Sequence, residues 1–204
     1  MPKDKTESHE RIQKVAKEEF LKKGFENVSM REISKKAGLT PSALYRHYPS
    51  KEAMFNSLVD PFVADMLDRT KQHEQNAYRN FDRTVSADAM VGDNAVQMFK
   101  SLFAEHRDEL KLILCCSHGT KYENFIHEMI WMESEETMKA FEHIREKGVP
   151  VKPITVDEIH VLLSAYITAV LEPIAHDWPT DKALQCLDLV EEFFIPAWKH
   201  IMGF

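Results

Sequence analysis

Apolar residues recur at helical spacing along almost the whole chain, and the breaks between runs carry turn and capping residues. Ile12, Val15, Ala16 and Phe20 share one face and predict a first helix over about residues 8–23, ended by Gly24. Ser29 and Glu32 have the spacing of a reciprocal capping box, so a second helix is expected to start there, run through Ile33 and Ala37 and stop at Gly38. Thr40 stands where a hydroxyl caps free N–H groups, Pro41 suits the first helical position, and Leu44 anchors a short third helix inward. Ser50 caps a fourth. Its stripe of Met54, Phe55, Leu58, Val59, Phe62, Val63 and Met66 predicts a helix to about Tyr78, with a bend near residues 58–60 imposed by Pro61.

The rhythm fades over residues 71–94, a polar stretch with Gly92, Asp93 and Asn94 near its end. It resumes in two helices, one around Ala95, Val96, Phe99, Leu102 and Phe103, the next over about residues 107–117 and closed by Gly119. A long helix over about residues 121–147 stops at Gly148-Val149-Pro150. Thr155 and Glu158 form another capping box, opening a helix that is apolar nearly all round from Ile159 to Leu171; such a helix must be covered on two sides. The last helix is expected after Pro179 with Thr180 as its cap, carrying Leu184, Leu187, Val190, Phe193, Phe194, Ala197, Trp198 and Ile201, with a late kink at Pro196. The fold is therefore all-α with about nine helices. Its last two long helices carry more apolar surface than one subunit can cover, which predicts a twofold homodimer through that pair.

The first three helices, with Phe25 and Val28 plugging a core of Phe20, Ile33, Ala37 and Leu44, make a small unit in which two short helices meet at a Gly-containing turn: a helix-turn-helix. So small a unit buries too little to stand alone, and the fourth helix should serve it and the rest of the chain alike. Charge sharpens this picture. The whole chain is at −7, but residues 1–52 hold 12 Lys and Arg against 8 Asp and Glu, a net of +4, and the remainder holds 14 against 25, a net of −11. A phosphate backbone attracts the first segment and repels the second.

The run from Gly24-Phe25 through Ala37-Gly38, Leu44-Tyr45, His47-Tyr48 and Ser50-Lys51-Glu52 resembles the DNA-binding domain of TetR-family transcriptional regulators over about residues 12–58. The resemblance implies a division at residue 52: a helix-turn-helix domain over 1–52 and a helical effector-binding and dimerisation domain over 53–204. It places Tyr45 and His47 at phosphate-contacting positions and Lys51 at the start of the fourth helix, where its charge and free N–H groups meet a phosphate. Thr40 belongs to the same surface, and Arg46 either binds phosphate or is solvated. Arg31, Ser42 and Ala43 fall where base edges are read: Arg31 would take the two acceptors of a guanine, Ser42 either base type, and Ala43 a thymine methyl. Met30 departs from the pattern, being apolar where a hydroxyl would grip a phosphate.

The resemblance further implies a repressor that binds a palindromic DNA operator as a homodimer and is released by a small-molecule effector. Met66, Phe99, Phe103, Phe125, Met129, Trp131 and Tyr166 are the candidate lining of an apolar pocket for an aromatic or lipidic effector; each taken alone also reads as ordinary core. One rival is a DNA-bound adaptor that docks a protein partner and has no small-molecule cavity. Another is a redox sensor at Cys115 or Cys116, though buried structural cysteines are the plainer reading. Cys115, Cys116 and His118 offer no converging metal ligands, so no metal is expected. No nucleophile elbow or phosphate-cradling glycine loop is present, and neither catalysis nor a cofactor is expected. His127 and Glu128 beside Trp131 read either as pocket lining or, more plainly, as a solvated pair. The polar N-terminus, unframed cysteines and absence of an uninterrupted apolar run of about 20 residues point to a cytoplasmic protein without a membrane span.

Overall fold

A computed structural model describes residues 2–91 and 94–204; Gly92 and Asp93, where the polar stretch was read to end, lie outside the described residues. Among the described residues there are nine α-helices and no strand: α1 Pro2–Lys23, α2 Met30–Lys36, α3 Pro41–Tyr45, α4 Lys51–Thr84, α5 Ala87–Val91, α6 Asn94–Cys116, α7 Phe125–Glu146, α8 Val156–Ala175 and α9 Thr180–Ile201. The chain divides into two compact units. The first is Met1–Asp65 with His106–Phe125; the second is Met66–Glu105 with Ile126–Phe204. Two helices contribute to both units, α4 and α6, and α6 leaves regular helical geometry at His106 (φ −131°, ψ 30°).

In the first unit the expected plug of Phe20, Phe25, Val28, Ile33, Ala37 and Leu44 is buried, joined by Phe55 of α4. Phe55 meets Phe20 edge-on at 5.2 Å and Phe25 at 5.5 Å, which shows why the three-helix unit needs the fourth helix. Residues 106–125 complete this unit from far along the sequence: the Phe25 N–H donates to the Cys116 carbonyl at 2.9 Å, and Lys17 pairs with Glu109 at 2.5 Å. Cys116 is buried, as a structural cysteine would be, but Cys115 is exposed.

In the second unit the core gathers Phe81, Phe141, Ile144, Val151, Ile159, Trp198 and Met202, supplied by α4, α7, α8, α9 and the α7–α8 connection. The fully buried Phe81 explains why α4 reaches Thr84 instead of stopping near Tyr78: a polar run still forms helix when one residue in it anchors the core. α4 also continues unbroken through Pro61, and α9 through Pro196. The short α5 was not foreseen. α7 starts at Phe125, four residues later than expected, because Thr120 Oγ1 donates to the Ser117 carbonyl (2.6 Å) and accepts from the Tyr122 N–H (3.1 Å), holding a turn.

The caps follow the sequence in part. Thr155 and Glu158 form the full reciprocal box at α8. At α2 only half forms: Ser29 Oγ accepts from the Glu32 N–H at 3.2 Å, while the Glu32 carboxylate turns to the Lys23 ammonium, a charge–charge partner that outcompetes a backbone N–H. At α9 the cap position belongs to Pro179, whose backbone is extended, and Thr180 is already the first helical residue.

α8 is long and apolar enough by length and composition to cross a membrane, a property not expected from a run interrupted by Ser164, Tyr166 and Thr168. Here Ile159, Tyr166, Ile167, Val170, Leu171 and Ile174 are buried within the second unit. On the outer side of α8 and α9, Val161, Leu189 and Phe193 are 66%, 65% and 74% exposed.

Candidate DNA-binding surface

The geometry of α2 and α3 follows from their ends. Gly38 takes the left-handed conformation (φ 67°) that the chain needs to leave α2, and the turn closes as the Leu39 N–H reaches the Ser34 carbonyl at 2.8 Å. Thr40 Oγ1 then accepts from the Ala43 N–H at 3.2 Å and Pro41 starts α3. Ile33 and the anchor Leu44 are fully buried, which fixes the rotation of both helices. With that rotation set, Arg31, Thr40, Ser42, Tyr45 and Arg46 are exposed, and Ala43 and His47 are partly so. Seven of the eight residues read from sequence as DNA contacts thus present side chain to solvent from α2, α3 and their flanks. Met30, by contrast, is buried.

Lys51 differs. Its ammonium donates to the carbonyls of Phe25 (2.7 Å) and Glu26 (3.2 Å) and sits 4.2 Å from the centre of the Phe25 ring, so it ties the α1–α2 connection to the start of α4. Burial lowers its pKa, with the nearby Glu26 charge acting the other way. Among the described residues these two carbonyls engage two of its three donors. Ser50 caps the same helix as expected, its Oγ accepting from the Ala53 N–H at 2.9 Å.

Two supports of this surface escaped the sequence reading. Glu19 of α1 is 5% exposed and receives Lys36 of α2; Lys23 lies between Glu19 (3.2 Å) and Glu32. The hydrogen bond from Lys36 is the chief cause holding the Glu19 carboxyl below its usual range, and Glu32 is the chief cause raising Lys23. The only sequence signal was an i,i+4 Glu19–Lys23 pair beside Phe20. The second support is His9, whose ring stacks on buried Tyr48 at 5.5 Å and lies 3.3 Å from its hydroxyl, with His47 at 6.4 Å.

The seven candidate effector residues fall in both units. Phe125 belongs to the first unit, edge-on to Tyr122 at 5.7 Å. In the second, Met66 and Phe103 are buried, Met129 is half-buried, and Tyr166 meets Phe99 at 6.3 Å and Phe194 at 5.3 Å. Trp131 is partly exposed and stacks on His160 at 3.9 Å; its indole N–H donates to His127 Nε2 at 3.1 Å, so His127 is engaged rather than simply solvated. A cavity of about 210 Å³ in the second unit is bordered by Tyr166 alone of the seven.

A charged helix pair with a tight glycine turn, caps at both N-termini and a solvent-facing polar side defines a helix-turn-helix DNA-binding protein of the all-α class. Residues 12–58 match the family model described as bacterial regulatory proteins, tetR family. The chain is 24% identical over 158 residues to an HTH-type transcriptional regulator of Staphylococcus aureus (strain USA300), covering 70% of this chain and 85% of that protein. In fold it resembles a tetR-family bacterial regulatory protein from Rhodococcus RHA1 (16% identity, TM-score 0.55, 96% of this chain and 97% of that one). It also resembles NalD, the secondary repressor of the MexAB-OprM multidrug efflux pump in Pseudomonas aeruginosa (20% identity, TM-score 0.51, 93% and 96%). Residues 12–58 thus match the DNA-binding segment of the tetR family, and the proteins that the chain resembles over most of its length are transcriptional regulators.

Proposed function

We propose that this protein is a ligand-responsive repressor that binds a palindromic operator as a homodimer. The observation that carries the reading is the exposed row Arg31, Ser42, Tyr45 and Arg46 on a helix pair whose rotation is locked by buried Ile33 and Leu44. Tyr45, His47 and the third Lys51 donor would hold phosphates, with Thr40 and Arg46 beside them; Arg31, Ser42 and Ala43 would read bases. Functionally, 1–52 would bind DNA and 53–204 would hold the effector and the partner subunit, with α4 belonging to both. The exposed Val161, Leu189 and Phe193 support a second copy of this chain packing on α8 and α9. A twofold dimer would set two α3 helices in successive major grooves, roughly 34–36 Å apart. Such a protein works where the bacterial chromosome is, in the cytoplasm.

Repression is the sign carried by NalD, and a small apolar or aromatic effector would relieve it through a coupling of about 1–3 kcal/mol, weakening operator binding roughly 5–150-fold. The cavity in the second unit favours this reading over an adaptor with a packed interior. The test is selection from a random-sequence duplex library, followed by competition with a small-molecule panel. Enrichment of an inverted repeat with half-sites about one turn apart is expected; enrichment of a single asymmetric site would sink the dimer reading. An operator affinity that no ligand changes would return the adaptor.

A further inference from the structure

The cavity in the second unit is built by helices distant in sequence. α4 supplies His73, α5 Met90, α7 Thr137 and Phe141, α8 Tyr166, and α9 Trp198. Three of these side chains are held by packing. Phe141 and Trp198 belong to the buried core of the unit, and the Tyr166 ring is braced edge-on by Phe99 and Phe194. Met90, Met202, the polar pair His73 and Thr137 and the aliphatic Ala140, Leu163 and Ile195 complete a lining in which no described residue is Lys, Arg, Asp or Glu. We propose that this cavity binds a small, flat, uncharged aromatic molecule bearing one hydrogen-bonding group, an assignment that rests on the effector-responsive reading above.

Size sets the first limit. A cavity of about 150 Å³ holds benzene, so one of about 210 Å³ open on one side takes a ligand of roughly eight to twelve non-hydrogen atoms. That is a fused bicyclic or substituted single ring, not a long lipid. Shape sets the second: Phe141, Tyr166 and Trp198 with Met90 and Met202 favour a flat face with which rings and sulfur pack. Charge sets the third. Burial lowers the pKa of His73, favouring the neutral imidazole, and burial, then the Glu191 charge, pushes the Tyr166 phenol up to about 12, so it stays an O–H. The lining therefore offers uncharged donors and acceptors only. Outside the lining, on α4 and α7, the carboxylates Glu74, Glu133 and Glu136 act on one another, with Lys139 acting on Glu74; Glu133 is pushed up to about 7 by burial and then by Glu74 and Glu136. An anion would find no Lys or Arg in the lining to meet it, and its desolvation would go uncompensated.

Trp198 makes the wall its own reporter. In a full-length protein carrying Trp131→Phe and Trp178→Phe, titration with 1-naphthol is expected to quench Trp198 fluorescence saturably. 1-Naphthoate, the same ring as an anion, is expected to bind at least about tenfold more weakly. Tyr166→Phe removes one hydroxyl and should weaken 1-naphthol by roughly threefold to tenfold. Ala140→Phe, on the α7 wall, fills the space and should abolish binding; Leu163→Phe from the α8 wall does the same should Ala140→Phe lose its helical circular dichroism. Undiminished 1-naphthol binding in a folded filled variant, or equal binding of 1-naphthoate, overturns the assignment. The two readings part in operator competition. A panel compound that releases operator equally from the parent and the filled variant keeps the effector reading and overturns this cavity as its site. Cavity binding of 1-naphthol, with operator affinity unchanged by every panel compound, keeps the site and overturns the effector reading.

Discussion

The two units of this molecule spend their sequence differently. In the first, short helices are fixed by specified polar contacts: hydroxyl caps at Ser29, Thr40 and Ser50, the buried Glu19 between Lys36 and Lys23, and Lys51 on two backbone carbonyls. In the second, long helices are held by apolar bulk, with a core from Phe81 to Met202, a cavity open on one side and Val161, Leu189 and Phe193 left exposed. A surface that must register on a rigid duplex needs its side chains at fixed positions, and caps and ion pairs set helix ends and rotation. On the function proposed above, a unit that admits a ligand and a partner would need apolar area left over. The difference teaches that precision and adaptability are placed in separate parts of the chain.

The largest expected effect lies on the outer face of the second unit. Leu189→Glu with Phe193→Glu should leave a folded monomer by sedimentation equilibrium, and without a tethered second half-site operator affinity should fall on the order of 10²–10⁴-fold. A variant that stays dimeric would break the contrast, since the exposed face would then be idle. In the first unit, Leu44→Ala empties a fully buried site and should lower unfolding free energy by about 2–5 kcal/mol in urea titrations, with operator binding lost as the rotation of α3 loosens.

The second unit should also be the more pH-sensitive at neutral values. The folded pKa of Glu133, about 7, lies above its ordinary value of 4.5, so stability is full below 4.5 and is lost as pH rises through 7. Glu133→Gln should therefore gain up to about 2–3 kcal/mol at pH 8, roughly 4–10 °C in Tm, and gain nothing at pH 4.5. Glu19 works in the opposite direction: its lowered pKa gives the first unit stability that is present above 4.5 and lost as pH falls through the folded value. Smaller still, Arg31→Ala should cost about 1–3 kcal/mol at one base position, whereas Tyr45→Ala should weaken all sequences alike by about 1 kcal/mol. Equal losses from Arg31→Ala on specific and random duplexes would take Arg31 out of base reading.

The helix-turn-helix was legible because its signals are local. Capping hydroxyls, Pro41 and Gly38 act within four residues, so Thr40 and Ser50 cap as read, and the all-α class follows from periodicity alone. Where a local signal met a stronger distant one it lost, as when Glu32 left its own helix end for Lys23. The candidate pocket was less legible. Apolar spacing identifies residues that turn inward but not which of them border empty space, so Phe103 and Met66 are simply buried, Phe125 joins the other unit, and the lining includes His73, Met90 and Trp198, which were not foreseen there.

By itself, then, the sequence determined most of the helices and their ends, the uneven charge and the exposed side of α2 and α3, because each depends on residues a turn or two apart; the short α5 and the joining of two expected helices into α6 were not legible there. Tertiary structure alone decided that residues 106–125 complete the first unit, that Lys51 turns its ammonium onto Phe25 and Glu26, and that five helices leave a cavity beside Trp198. Those outcomes are sums over contacts between segments far apart in the chain, and no local spacing encodes the volume that packing leaves unfilled.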